Sequence, residues 1–218
     1  MPRCDPGGDP VRSVLHRLCW LVFLLGGLTL QGSGESRASL ARAGNLSPKN
    51  FEVLGVSLPE STVSEVERIL GRAPSKQGDN VEETYSCYIS PGNDRTVLEF
   101  EYWFENVVEF RLFTRNPQTV NQCVKSKLIS AGLATASGLR LGLTEVEVVK
   151  ILGPPLKKQS NSFTYEVSYN RPLTSKEIRR FKDANQPEPA SIFVYGKIDL
   201  RFRQGKLDWI DIARGYDF

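Results

Sequence analysis

Residues 55–71 read GVSLPESTVSEVERILG and residues 138–153 read GLRLGLTEVEVVKILG, and the likeness between these two stretches decides the fold. From Thr62 to Gly71 and from Thr144 to Gly153 they align with a constant offset of 82 residues. Six of the aligned positions are identical. An internal repeat of this kind predicts two copies of one structural unit.

Each copy has the pattern of a short helix with defined ends. Thr62 with Glu65, and Thr144 with Glu147, form T-x-x-E capping boxes. Apolar residues recur at helical spacing and predict one buried face, made of Val63, Val66, Ile69 and Leu70 in the first copy and Val148, Ile151 and Leu152 in the second. A glycine suited to a left-handed cap and a following proline end each helix, at Gly71 and Pro74 and at Gly153, Pro154 and Pro155.

Three segments of alternating apolar and polar residues follow each helix and predict strands. They are TYSCYI (84–89), TVLEFEYWF (96–104) and VVEFRLF (107–113) in the first copy, and FTYEVSY (163–169), KIDLRF (197–202) and LDWIDI (207–212) in the second. Tight turns are expected at Glu105-Asn106 and Gln204-Gly205. The expected inward residues are Leu98, Phe100, Tyr102, Phe104, Phe110 and Leu112, matched by Ile198, Leu200, Phe202, Ile210 and Ile212.

These elements predict an α+β fold of two tandem modules, each a helical start packed on a three- to four-stranded antiparallel sheet. The modules are expected at residues 51–116 and 138–218, joined by a connector at 117–137 that holds a helix over 119–130. The second module carries an inserted loop over 170–190, in which Thr174 and Glu177 predict a third capped helix. This loop is either a functional element or a solvated decoration.

The first 34 residues have the pattern of a secretory signal. Arg3, Arg12 and Arg17 precede an apolar run from Leu18 to Leu30, which as a helix spans only about 20 Å and is too short for a hydrocarbon core of roughly 30 Å. Cleavage is expected after Gly34, with Ala43 as the alternative, and residues 35–50 then form a flexible mature N-terminus. An uncleaved membrane anchor is the competing interpretation.

Removing this signal leaves two cysteines and no histidine. Cys4, Cys19 and His16 lie within residues 1–34, so Cys87 and Cys123 remain. In a periplasmic or secreted location two cysteines most simply form one disulfide. The alternative is a reactive thiol, but no imidazole remains to activate it.

The second copy resembles the SmpA/OmlA (outer-membrane assembly lipoprotein) module, whose fold is shared by the two repeats of β-lactamase inhibitor protein. The motif residues are Leu141, Gly142, Thr144, Val148, Leu152, Gly153 and Pro155, followed by Tyr165, Phe202, Gly205 and Leu207. The first copy matches more loosely, and together they cover residues 51–213. The resemblance implies the fold just described and a protein-binding role, either in outer-membrane assembly or in inhibition of a hydrolase.

Catalytic chemistry is not indicated by the residues. Serine and cysteine nucleophiles lack a histidine, and neither metal-ligand spacing nor a phosphate-binding glycine loop is present, so no enzyme activity, cofactor or metal is expected. The small net charge of +3 without a Lys/Arg block predicts no nucleic-acid partner. The less favoured alternative is an enzyme that uses two carboxylates. The candidate pairs are on outward strand faces and are Glu99 with Glu101, or Asp199 with Asp211.

The outward strand faces suit protein binding better. Large aromatic residues are expected there among charges, with Trp103 and Phe113 near Glu101 and Arg111 in the first copy, and Trp209 near Arg201 and Asp211 in the second. These aromatics are covered either by a partner or by other parts of the chain. The sequence therefore predicts an exported protein-binding module with an envelope-associated protein partner and no stable membrane insertion after signal cleavage. Its favoured role is as an envelope or outer-membrane assembly factor, with a secreted hydrolase inhibitor as the alternative.

Overall fold

Strands dominate the described part of the chain, which in this computed structural model comprises residues 46–78, 82–114 and 123–217. The elements in chain order are a 3-10 helix at Pro48–Phe51, β1 (Glu52–Val53), β2 (Val56–Ser57), α1 (Val63–Leu70), β3 (Lys76–Gln77), β4 (Glu83–Ile89), β5 (Thr96–Trp103), β6 (Asn106–Thr114), β7 (Val124–Lys125), α2 (Glu145–Leu152), β8 (Lys157–Gln159), β9 (Ser162–Arg171), α3 (Ser175–Asp183), β10 (Ile192–Arg203) and β11 (Lys206–Asp217). The antiparallel sheet with a few short helices agrees with the predicted α+β class. The predicted signal over 1–34 lies outside the described residues.

Nine of the strands form one sheet. Its order is β3-β4-β5-β6-β11-β10-β9-β8, with β7 lying parallel beside β4. β4 to β6 and β9 to β11 are antiparallel meanders, and β6 pairs with β11 to join them at the centre. The sequence predicts a sheet for each copy of the repeat, and the central pairing makes the two continuous.

The two repeated helices begin and end where the sequence predicts. The Thr62 backbone N–H donates to Glu65 Oε2 at 2.8 Å, and the Thr144 N–H donates to Glu147 Oε2 at 2.7 Å. These bonds satisfy amide groups that have no partner within the helix. Gly71 (φ 88°) and Gly153 (φ 78°) then end α1 and α2 in a conformation that glycine adopts without steric cost.

Both helices pack on one face of the sheet, hereafter the inner face. Their buried residues Val66, Leu70, Val148 and Leu152 belong to a single apolar core with the inward residues of the strands. A tyrosine from the sheet also bonds the end of each helix. Tyr88 Oη donates to the Gly71 carbonyl at 2.9 Å, and Tyr165 Oη donates to the Gly153 carbonyl at 3.1 Å.

The predicted strands are confirmed, but the first hairpin turn is displaced by one residue. β5 ends at Trp103 and β6 starts at Asn106, so Phe104 and Glu105 form the turn. Phe104 was expected to point inward and is instead 66 % exposed with φ 56°. The cause is the pairing of Trp103 with Asn106, which ends β5 before Phe104 and leaves Phe104 in the turn, whereas Tyr102 keeps its inward position.

The connector does not continue as the predicted helix over 119–130. Residues 115–122 lie outside the described part, but Val124–Lys125 is strand β7, and the Ser126 N–H donates to the Ile89 carbonyl. Leu128, which would share one apolar side of such a helix with Val124, is 49 % exposed. The disulfide from Cys123 to Cys87 holds this segment against the edge of β4, where backbone pairing replaces helical bonding.

The predicted helix of the inserted loop is present as α3. Its capping box forms between the Thr174 N–H and Glu177 Oε2 at 2.7 Å. Arg171, at the end of β9, donates two hydrogen bonds to the Glu177 carboxylate, at 2.7 and 2.8 Å, and lies 4.8 Å from the centroid of the Tyr216 ring. This bidentate pair ties α3 to the end of the sheet.

A glycine in β10 allows the N-terminal segment to pack on the sheet. A Cβ added at Gly196 would lie 2.6 Å from Cζ of Phe51 and 3.1 Å from Cγ1 of Val167. We therefore expect Gly196→Ala to lower the free energy of unfolding by about 1–3 kcal/mol, measured by chemical denaturation. Gly92→Ala is the matched control, because the nearest atom to its added Cβ is 3.8 Å away. Equal losses in both variants would contradict the close packing of Phe51.

Candidate functional site

The face of the sheet opposite α1 and α2, hereafter the outer face, carries the residues that the sequence singled out. Side chains alternate along a strand, so those between the core residues of β5, β6, β10 and β11 point to this side. The register places Arg111 opposite Glu99 on β5 and opposite Asp211 on β11. Charged residues expected on separate sheets therefore meet at the centre of one surface.

Arg111 is the centre of a cluster of four carboxylates. Its guanidinium lies 2.9 Å from Glu101, 3.8 Å from Glu99 and 3.7 Å from Asp211, and it also contacts Glu109. The five side chains are only 16–26 % exposed, so water screens them weakly. One arginine and four partly buried carboxylates leave an excess of negative charge.

Burial raises the pKa of three of the carboxyl groups. Burial and the nearby Asp211 raise the pKa of Glu109 to about 8. Burial is also the main cause that raises the pKa of Glu101 and of Asp211, against the attraction of Arg111. For Arg111, burial disfavours the charged form, but the surrounding carboxylates outweigh it and raise its pKa. Near neutral pH, Glu109 and Asp211 thus share a proton in a hydrogen bond.

One end of the outer face is closed by a small aromatic and disulfide cluster. Phe113 and Trp209 stack with ring centroids 4.4 Å apart, and the Cys87–Cys123 disulfide packs beside them. Phe113 is 4 % exposed, and the Arg201 guanidinium lies 5.0 Å from the centroid of the Trp209 ring. Phe113 is therefore covered from within the molecule, and Trp209 is partly covered.

The other end of the outer face is open and aromatic. Trp103 is 50 % exposed, and Phe104 lies against it. Across the sheet, Phe193 and Tyr195 on β10 are 39 % and 41 % exposed. Solvent-exposed aromatic residues concentrated on one sheet face are typical of an interaction surface.

The sequence-predicted residues thus fall into three groups. Glu101, Arg111 and Asp211 meet in the central cluster, whereas Phe113, Trp209 and Arg201 meet at the closed end. Trp103 stands apart at the open end.

Phe193 and Tyr195 were missed because the predicted strand began at Lys197. The run IFVYGKIDLRF does alternate from Ile192 onward, but Gly196 interrupts its apolar series. Because glycine has a low strand propensity, the four residues before it are not predicted as part of the strand.

Among the described residues, no group of three or more His, Cys, Asp or Glu side chains has the arrangement to hold a metal ion. In residues 46–78, 82–114 and 123–217, no helix is both long and apolar enough to cross a membrane.

Comparison with protein-family models, curated proteins and solved structures finds no match to this chain.

The raised pKa of Glu109 predicts a pH-dependent stability. The folded chain binds this proton more tightly than the unfolded chain, where the pKa is near its ordinary value of 4.5. The contribution of Glu109 is therefore complete below about pH 4.5, and the free energy of unfolding falls as the pH rises to about 8. Glu109→Gln, which cannot ionise, should flatten this fall in urea denaturation measured from pH 4.5 to 9. Glu67→Gln on α1 is the control, and an unchanged slope in Glu109→Gln would contradict the assignment.

The disulfide should stabilise the closed end. Cys87 and Cys123 are 36 residues apart in sequence, and closing such a loop contributes about 4 kcal/mol by restricting the unfolded chain. We expect the double variant Cys87→Ser with Cys123→Ser to lose about 3–4 kcal/mol in urea denaturation. Reduction of the natural chain with dithiothreitol should give a similar loss, and no loss in either experiment would refute a stabilising bond.

Proposed function

We propose that this chain is an exported protein-binding module of the cell envelope, periplasmic or secreted, and that the outer face of its sheet is the contact surface. The observation that carries the proposal is the exposure of Trp103 and Tyr195, 50 % and 41 %, on the side of the sheet away from α1 and α2. Tryptophan and tyrosine in such positions supply much of the binding energy at protein interfaces. Their partner is another protein, most simply one associated with the envelope.

The state of the carboxylates supports binding over catalysis. Glu99 and Glu101, one of the two candidate catalytic pairs, both contact Arg111. In the other pair, Asp211 belongs to the same cluster, and Asp199 accepts a hydrogen bond from Thr164 at 2.7 Å and pairs with Lys197 at 2.6 Å. Carboxylates held by neighbouring side chains in this way form an ordered, charged part of a contact surface.

A duplicated module is part of the proposal. Both meanders follow a helix whose capping glycine is bonded by a strand tyrosine, Tyr88 or Tyr165. Both hairpins have the same irregularity in register, after Glu101 in the first and after Arg201 in the second, and a turn follows at the same distance. Equivalent positions in the two hairpins are 100 residues apart. At the same offset Arg111 and Asp211 are counterparts, and they are directly opposite each other in the β6–β11 register. This agreement supports two copies related by an approximate two-fold axis through that pair.

The resemblance to outer-membrane assembly modules supports the envelope role. Its motif residues include Thr144 and Gly153, which cap α2, and Tyr165, which bonds Gly153. Single modules and tandem repeats of this kind bind proteins, and the tandem arrangement is also what a secreted hydrolase inhibitor would have. The identity of the captured protein distinguishes these two roles.

Affinity capture with outer-face variants tests the proposal. The natural chain, Trp103→Ala, Tyr195→Ala and the inner-side control Val146→Ala would be used as baits in envelope extract, with quantitative mass spectrometry. We expect one protein that the natural chain and Val146→Ala capture equally and that each outer-face variant captures at least tenfold less, consistent with loss of about 2 kcal/mol at a hot spot. Val146 is a suitable control because it is 66 % exposed on α2.

Two results would contradict the proposal. The first is a partner lost with Val146→Ala but retained by both outer-face variants, which places binding on the helical side. The second is catalytic turnover of a captured glycan or peptide that Glu101→Gln abolishes, which would make the chain an enzyme.

A further inference from the structure

The open end of the outer face contains an acidic–aromatic corner, defined as Tyr85, Trp103 and Phe104 with Glu82, Glu83 and Glu105. The Trp103 indole N–H donates to Glu82 Oε2 at 3.0 Å, so a carboxylate lies at the rim of the ring. Trp103 and Phe104 are nearly parallel, with an interplanar angle of 8° and centroids 6.4 Å apart. Glu83 is the direct cross-strand neighbour of Trp103.

The position of Phe104 is unusual for a bulky aromatic residue. It occupies the left-handed region at φ 56°, which suits glycine or asparagine better than a bulky aromatic residue. The second hairpin places the polar Gln204 at the corresponding position, with φ 53°. A phenylalanine in this conformation with 66 % of its surface exposed gains little burial within its own fold, and contact with another molecule would supply that burial.

The charge around these rings is acidic on balance. Glu82 and Glu105 are exposed, and Glu83 is partly exposed, whereas Lys76, opposite Tyr85 on β3, is a basic residue at the edge. The same bias extends through this half of the sequence, since residues 46–114 contain twelve Asp and Glu against six Lys and Arg. Residues 115–218 have the opposite bias, with ten against seventeen.

We propose that the acidic–aromatic corner binds a cationic segment of the partner protein, with Lys or Arg side chains lying on the Trp103 and Phe104 rings and pairing with the surrounding carboxylates. Aromatic faces attract cations, most strongly for tryptophan, and carboxylates at the rim of the ring add charge-assisted hydrogen bonds. This inference rests on the outer face being the protein-binding surface. It adds the chemistry of the partner.

The corresponding corner of the second half carries the opposite charge. Under the 100-residue offset, Trp103 and Glu101 become Arg203 and Arg201, and Asn106 becomes Lys206. Arg203 pairs with Asp208 at 2.8 Å, and its side chain remains 81 % exposed. A cationic segment is repelled there and attracted to the acidic–aromatic corner, so charge fixes the orientation of the partner.

Binding of a defined cationic peptide tests the inference. The probe is the decapeptide (Arg-Gly)5, with (Glu-Gly)5 as the charge-reversed control, titrated into the full chain by isothermal calorimetry at 50 and 200 mM salt. We expect (Arg-Gly)5 to bind at 50 mM salt, more weakly at 200 mM, and (Glu-Gly)5 to bind at least tenfold less tightly. Trp103→Ala with Phe104→Ala leaves the net charge unchanged and should weaken (Arg-Gly)5 binding about tenfold or more.

Two further variants test whether the peptide binds at the acidic–aromatic corner rather than through the overall charge of the chain. Glu82→Gln with Glu105→Gln should weaken (Arg-Gly)5 binding by a similar factor and reduce its salt dependence. Phe193→Ala, at the other exposed aromatic pair, should leave the affinity within twofold. Thermal melting checks that each variant is folded.

The inference is overturned if (Arg-Gly)5 fails to bind, or if removal of both aromatic side chains leaves its affinity unchanged. In either case, a captured partner that still requires Trp103 would leave the proposed function intact and show that its contacting segment is not cationic. If, in addition, no captured partner requires Trp103, the proposed function is overturned as well.

Discussion

The pairing of β6 with β11 is the constraint on which the rest of this structure depends. It makes two meanders one sheet, so that α1 and α2 cover the same side and a continuous surface remains opposite them. At its centre Arg111 faces Asp211 and also contacts Glu99, Glu101 and Glu109. Partly buried carboxylates repel one another unless a cation or a shared proton compensates them, and here both do so.

This central cluster divides the outer face into regions with different physical properties. Beyond Arg111 on one side, the disulfide and the stacked rings of Phe113 and Trp209 form a satellite core that buries apolar surface. On the other side, Trp103, Phe104 and Tyr195 leave apolar surface in water. A folded chain gains stability from the first arrangement and little from the second. The open end therefore leaves apolar surface available for the binding proposed above.

Local elements of this fold could be predicted because their causes are local. Thr144 and Glu147 are three residues apart and bond each other, so the start of α2 is encoded within one turn. Alternation predicts the strands in the same way. The predictions that were wrong depend on distant partners. Phe104 points outward because the pairing of Trp103 with Asn106 places it in the turn, and Val124 is in a strand because Cys123 is held beside β4.

The sequence by itself determined the repeat, the capped helices, the strands and the pairing of two cysteines, since each follows from residues close together or from simple counting. Only the tertiary structure decided that Arg111 and Asp211 share one cluster, that Phe113 is covered and Trp209 partly covered, and that Trp103 and Phe104 are exposed. Side-chain alternation assigns a residue to a face of its own strand, but it carries no information on which strand lies beside it. Neighbouring strands are chosen by packing over the whole sheet, and burial and charge at each site follow from that choice.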